Sequence, residues 1–351
     1  MSLERIGIGF GTAGLGNTVY STVSLALDAG FRKFDTAEEN DYWYDQVSVG
    51  RAIHDFFQHE LTKQCVVGKE DVSCQSFCGS KGLKISTKIP PWELTSVENI
   101  RKRAAASRET LVGFCDDYEA KDVIVDENDN KNENEKDHEH TGDDNAKYPM
   151  DVYYIHAPQC WDGWHPRCNG VRDTLSLRDA WLGMEGVVHD DNAKRIGLSN
   201  IWPDQLRDII HFVKERQEYN LLHGSKSDDP PPRMPDVLQI YADPIHPSDD
   251  LRQICEEYGI EFVSYSTLGT QHHMRGQGNP VIGNEHVKRI AEKHSRSTAE
   301  VVLSWAMHHK NMSVIPRSSK EKHIRELAAL LNGEMFLDRD DLELIDSMSL
   351  N

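Results

Sequence analysis

The chain has 351 residues, with 39 lysines and arginines against 58 aspartates and glutamates, a net charge of −19 with histidine neutral. That length excludes a small stapled scaffold and suits one large domain or two ordinary ones, because single cores stop growing at about 250–300 residues. The acidic balance excludes a general nucleic-acid binder, which needs positive surface to displace phosphate counterions, but leaves room for a local basic pocket. No apolar run approaches the roughly 20 residues of a membrane span, and Met1–Arg5 lacks the charged-then-apolar pattern of an export signal. The reading is therefore a cytoplasmic protein with no nucleic-acid or membrane partner, its seven cysteines reduced.

In chain order, Arg5–Phe10 reads as a strand and Val19–Ala29 as a helix ended by Gly30. Arg32–Asp35 is a strand, Asp45–Phe57 an amphipathic helix with Asp45 as N-cap, Leu83–Thr87 a strand and Val97–Phe114 a helix. Asp151–Ile155, Arg195–Leu198, Val237–Tyr241, Glu261–Tyr265 and Met312–Ile315 are further strands. Helices at Leu177–Val188, Pro203–Glu215, Ser248–Tyr258, Glu285–Lys293 and Thr298–His308 alternate with them, and two more at Lys320–Leu331 and Arg339–Met348 close the chain. About eight strand-then-helix units predict an α/β fold, a (β/α)₈ TIM barrel over residues 1–351 as a single domain. Short apolar strands without alternation fit parallel strands buried on both faces.

Two segments break the rhythm. Residues 126–147 carry nine acidic and three basic residues and almost nothing apolar, so they read as an acidic, disordered insertion. Its His138 and His140 meet no metal-ligand spacing. Val72–Gly82 is a shorter loop whose Cys74 and Cys78 lack the second pair a zinc site needs. Cys160, His165 and Cys168 sit close together but lack a fourth ligand. No metal is expected.

Gly9-Phe10-Gly11-Thr12-Ala13-Gly14 matches G-x-G-x-x-G, follows a strand, precedes a helix and has Asp35 downstream, as a Rossmann dinucleotide site would. The periodic units continue past the end of such a domain, however. In the barrel reading these glycines form a flexible first loop at the mouth.

In a (β/α)₈ barrel the C-terminal strand ends converge on one face. Those ends read Phe34-Asp35-Thr36-Ala37, Ser86-Thr87-Lys88-Ile89-Pro90, Tyr154-Ile155-His156-Ala157-Pro158, Gly197-Leu198-Ser199-Asn200, Gln239, Ser264 through Gly269, and Ile315-Pro316-Arg317-Ser318. An acid, a base and a histidine at three successive ends are hard to assign to packing. The ordered set resembles the aldo-keto reductase superfamily from Gly9 to the last helices, leaving out the two loops. The resemblance implies a (β/α)₈ barrel that binds NADPH, with NADH as an alternative, and reduces the carbonyl of an aldehyde or ketone, a small-molecule partner.

Matched residue by residue, Asp35, Lys88 and His156 correspond to three of the family's four catalytic residues. The fourth is a tyrosine after the second strand. Here the sequence departs: Asn40 stands at the usual spacing, and the loop is longer. Counting back from Val49-Gly50 favours Tyr44, with Tyr42 as competitor. A phenol of pKa about 10 is a poor acid at neutral pH, so a nearby Lys88 ammonium, held by Asp35, is expected to lower it, while His156 orients the carbonyl.

The resemblance also implies cofactor contacts. Ser199, Asn200 and Gln239 would meet the nicotinamide carboxamide, Tyr265 would stack on its ring, and Ser266 and Leu268 would lie over the pyrophosphate. Arg317, with Ser318, would meet the adenosine 2′-phosphate. His323 and Leu327 replace a common arginine and asparagine near the adenosine. Trp92, Trp161 and Trp202, with Trp164, follow strand ends and would wall the substrate pocket. Some relatives of this architecture are non-catalytic, nucleotide-binding regulatory subunits, which is the alternative function. Substrate, direction and oligomeric state are not fixed by the sequence.

Overall fold

The structure is a computed structural model that describes residues 6–40, 43–66, 78–116, 147–171, 173–224, 230–274, 276 and 278–349. Residues 126–146 of the acidic insertion, Cys74 and Tyr42 lie outside the described residues.

Eight strands form one sheet in the order β1 to β8. They are β1 (Phe10–Gly11), β2 (Lys33–Asp35), β3 (Lys84–Ile89), β4 (Met150–Ile155), β5 (Ala193–Ser199), β6 (Val237–Tyr241), β7 (Glu261–Tyr265) and β8 (Ser313–Val314). Every neighbouring pair is parallel. A parallel bridge from Ile8 to Val314 joins the last strand to the first, so the sheet curls into the expected (β/α)₈ barrel. Sequential parallel neighbours need a crossover each. These are supplied by helices that include α1 (Val19–Asp28), α2 (Gln46–Val66), α3 (Val97–Val112), α4 (Leu177–His189), α5 (Pro203–His223) and α6 (Asp249–Tyr258).

The main apolar core lies between strands and helices, as parallel strands covered on both faces require. Inside the barrel a smaller cluster gathers Val152, Tyr154, Val237 and Val263. Tyr154 fits because the facing position is Gly197: a Cβ there would lie 2.7 Å from the Tyr154 ring. The N-terminal end of the barrel is plugged by charge. Arg195 reaches Glu261 at 2.6 Å and Asp151 at 2.7 Å, and Lys33 reaches Glu261 at 3.3 Å.

Three expectations change. The glycine-rich segment is a loop at the mouth only in part: Thr12 and Ala13 border the cavity there, but Gly11 belongs to β1, and a Cβ on it would meet the Ile315 carbonyl oxygen at 2.7 Å. The glycine lets β1 approach the chain after β8, which accounts for the motif without a Rossmann fold. The helix expected over Thr298–His308 changes winding, an α-turn over Thr298–Ser304 running into a π-turn over Trp305–His309. The reduced-thiol expectation fails at four cysteines. Cys78 is bonded to Cys115 and Cys160 to Cys168, because the fold brings these side chains together although their spacing carried no such signal. No described helix is long and apolar enough to cross a membrane.

Candidate active site

A cavity of about 900 Å³ opens at the C-terminal end of the strands, bordered by Asp35, Tyr44, His156, Asn200, Gln239, Tyr265 and Arg317. Strand β2 delivers Asp35 and strand β3 delivers Lys88, both buried. Lys88 Nζ donates to Asp35 Oδ1 at 2.5 Å and to the Thr36 carbonyl at 2.8 Å. The second oxygen of Asp35 accepts from Gln239 Nε2 at 2.9 Å, so the acid is held from both sides of the barrel.

Tyr44 stands over this pair. Lys88 Nζ is 5.6 Å from its ring centroid, and the His156 ring meets it edge-on at 5.9 Å. Asp35, Lys88 and His156, expected at strand ends, and Tyr44, expected in the loop after the second strand, are thus brought to one rim. The expected lowering of the phenol pKa is not seen. Burial first, then the carboxylates Asp35 and Glu39, pushes Tyr44 well above its ordinary value, with Arg317 acting the other way.

The segment after β2 supplies a residue the sequence reading missed. Four positions past Asp35, Glu39 also borders the cavity, and its Oε1 lies 2.5 Å from His156 Nδ1. Burial, the largest influence, pushes this carboxyl up. His156, His165 and Lys88 together outweigh it, and Glu39 sits below the usual carboxylate range. The intervening Glu38 faces α3 instead, accepting from Arg103, Ser107 and Tyr153. The available signal was the Glu38-Glu39 pair itself, of which one carboxylate faces the cavity and the other the helix.

The residues expected at the nicotinamide form one chain of hydrogen bonds. Ser199 Oγ donates to the Gln239 carbonyl at 2.8 Å. Asn200 Nδ2 donates to the His156 carbonyl at 2.9 Å, and Tyr265 OH donates to Asn200 Oδ1 at 2.6 Å. Asn200 has φ of 54° and Ser266 of 53°, left-handed conformations that cost energy in non-glycine residues and cluster at functional sites. Ser266, Leu268 and Arg317 border the same cavity. Ser318 does not; its Oγ lies 3.4 Å from His323 Nδ1. Leu327 is packed in the main core, which removes it from any ligand role.

Trp161, Trp164 and Trp202 wall the outer cavity, and Trp202 is 69% exposed. Trp92 lies one layer back, stacked on His165 at 4.3 Å, so it supports the wall rather than forming it. The loop carrying Trp161, Trp164 and His165 is tied by Cys160–Cys168. Those sulfurs are spent on each other and offer no thiolate to a metal. Asp243, His246 and His272 also lie close together. The Asp243 oxygens there already accept from Tyr241, His272 and the amides of Ile245 and His246, which accounts for the group as a fastening of the loop after β6.

Residues 125–349 match the profile of the Aldo/keto reductase family, a stretch that is well over half of the chain. The chain belongs to the aldo/keto reductase family. Within that stretch lie His156, Ser199, Asn200, Gln239, Tyr265 and Arg317; Asp35, Tyr44 and Lys88 precede it. Aldose reductase B of Dictyostelium discoideum is 27% identical over 214 residues, spanning 58% of this chain and 60% of that protein. Glycerol 2-dehydrogenase (NADP(+)) of Hypocrea jecorina is 26% identical over 322 residues, 90% of this chain and 81% of that protein. Glyoxal reductase of Bacillus subtilis (strain 168) is 28% identical over 57% of each chain. The match thus spans about 60% of the length of aldose reductases B and C of Dictyostelium. The crystal structure of an aldo/keto reductase from Brucella melitensis superposes with a TM-score of 0.61 over 97% of this chain and 92% of that one, at 20% identity, a likeness of fold.

Proposed function

We propose that this aldo/keto reductase transfers hydride between NADPH and the carbonyl of a small aldehyde or ketone. The observation that carries the reading is the meeting of Asp35, Lys88, Tyr44 and His156 at one rim of a cavity large enough for a cofactor ring and a small substrate. The lining fits a nicotinamide cofactor in its chemistry, with the Asn200 and Gln239 side chains offering mixed donors and acceptors beside the Tyr265 ring and Ser199 bonded to the Gln239 carbonyl behind them. When bound, that group supplies the hydride.

The chain's own residues manage the oxygen and its proton. A phenol held above its ordinary value is protonated throughout the neutral range, so Tyr44 has a proton to give as negative charge develops on the substrate oxygen. The Lys88 ammonium, fixed by Asp35 and the Thr36 carbonyl, stabilises the phenolate left behind. His156 borders the cavity from the adjacent strand end and orients the oxygen. General-acid help of this kind is worth about 10²–10⁴ in rate. The tryptophan wall excludes water and favours an apolar carbonyl compound. Arg317, with a planar guanidinium suited to phosphate, favours NADPH over NADH.

The test is to mix the purified protein with NADPH and a panel of aldehydes and quinones and follow nicotinamide absorbance. Turnover abolished by Tyr44→Phe supports the reading. Tight cofactor binding with no turnover on any compound supports a nucleotide-binding regulatory subunit instead.

A further inference from the structure

The contact between His156 and Glu39 does more than orient a ring. His156 Nδ1 and Glu39 Oε1 are 2.5 Å apart, both side chains are buried, and neither atom has another hydrogen-bond partner. The approach is an ion-pair contact and is not aligned as a regular hydrogen bond. Two bare lone pairs at that separation would repel, so the close approach requires a proton on one of the two atoms. The groups facing the pair are Lys88 from β3, Tyr44 from the loop after β2, and His165 with Trp164 from the loop after β4; Asp35 stands behind Lys88. Two of these neighbours, Lys88 and His165, join His156 in holding Glu39 ionised, which leaves that proton on Nδ1.

We infer that Glu39 is a positioning residue that fixes the Nδ1 proton of His156 and so sets whether Nε2, the ring atom left for the substrate, donates or accepts a hydrogen bond. An imidazole has two nitrogens and needs both protons to donate from both. With one proton on the ring, held by Glu39, Nε2 accepts, which matches an alcohol hydroxyl. With two, Nε2 donates, which matches a carbonyl oxygen. Carbonyl reduction therefore draws on the doubly protonated ring, and alcohol oxidation on the singly protonated one. This inference rests on the reductase reading for its consequence, and on the local geometry alone for the proton's place.

The test pairs two measurements on the full chain. The first is the ¹⁵N spectrum of the histidine rings, with His156 assigned by its loss in His156→Phe. The expected result is a proton on Nδ1 across the neutral range, and a shift of that proton toward Nε2 in Glu39→Gln. The second is the pH profile of carbonyl reduction, whose alkaline limb is expected to move to lower pH in Glu39→Gln, where the negative charge beside the ring is lost. A His156 ring without a proton on Nδ1 in the unsubstituted protein overturns the inference, and so do superimposable profiles for the two proteins. If the unsubstituted protein reduces no carbonyl compound, the functional reading fails while the ring spectrum still decides the pair. If Glu39→Gln does not fold, the spectrum of the unsubstituted protein decides it.

Discussion

Lys88 and Asp35, 53 positions apart in sequence, meet across the β2–β3 pair at 2.5 Å with both side chains buried. A buried pair is a weak source of stability when intact, but removing one partner strands the other charge at a cost of about 3–5 kcal/mol. Lys88→Met is therefore expected to lower unfolding free energy by that amount and to abolish turnover. The double variant Lys88→Met/Asp35→Asn should recover most of the stability and none of the activity. Denaturant unfolding and nicotinamide absorbance measure the two effects, and equal stability of single and double variants would contradict the account.

Glu261 governs the acid side of stability. Burial pushes its carboxyl up, but Lys33, Arg195 and the Ser313 hydroxyl outweigh burial and bring it to about 2, from 4.5. A folded-state value below the unfolded one contributes stability that is fully present above the unfolded value and is lost as pH falls through the folded one. The contribution is about 3 kcal/mol near neutral pH, lost between roughly pH 5 and pH 2. Glu261→Gln should flatten the curve of stability against pH in that window. An unchanged slope would show that Glu261 is not the group responsible.

Arg317 borders the cavity on the side of β8, its Nη2 close to Gly14. If it meets the 2′-phosphate, Arg317→Ala should raise KM for NADPH, leave KM for NADH nearly unchanged and spare kcat with either. An unaltered preference between the two cofactors would assign the arginine another role.

The Cys160–Cys168 disulfide closes the short loop that presents Trp161, Trp164 and His165. Loop-closure entropy values such a crosslink at about 2–3 kcal/mol. Cys160→Ser should lower the melting temperature and raise KM for the carbonyl compound, because the loop walls the substrate. A fall in kcat with KM unchanged would place the loop in the chemistry.

The sequence made some layers of this molecule plain and hid others for physical reasons. Asp35, Lys88, His156 and Asn200 each stand at or next to the end of a short strand, and parallel strands release their polar residues at one end. The barrel and its rim were legible on that ground. The first strand was misplaced because its pairing relies on Gly11 fitting under the Ile315 carbonyl, a contact between chain positions some three hundred residues apart. Helix α2 runs to Val66 and α5 to His223, past the expected ends at Phe57 and Glu215, since mostly polar turns extend a helix with little periodic signal. Glu39 was passed over inside an acidic run, where only the alternation with Glu38 tells an inward carboxylate from an outward one. The disulfides needed the fold itself.

The most direct measurement of the central claim is label transfer. NADPH carrying deuterium at the transferable position of the nicotinamide is mixed with the protein and an aldehyde, and the product alcohol is examined by mass spectrometry, in parallel for Tyr44→Phe and Tyr42→Phe. The account predicts one deuterium on the carbinol carbon with the unsubstituted protein and with Tyr42→Phe, and a rate reduced by about 10²–10⁴ with Tyr44→Phe. Unlabelled alcohol, or full activity in Tyr44→Phe, would contradict it.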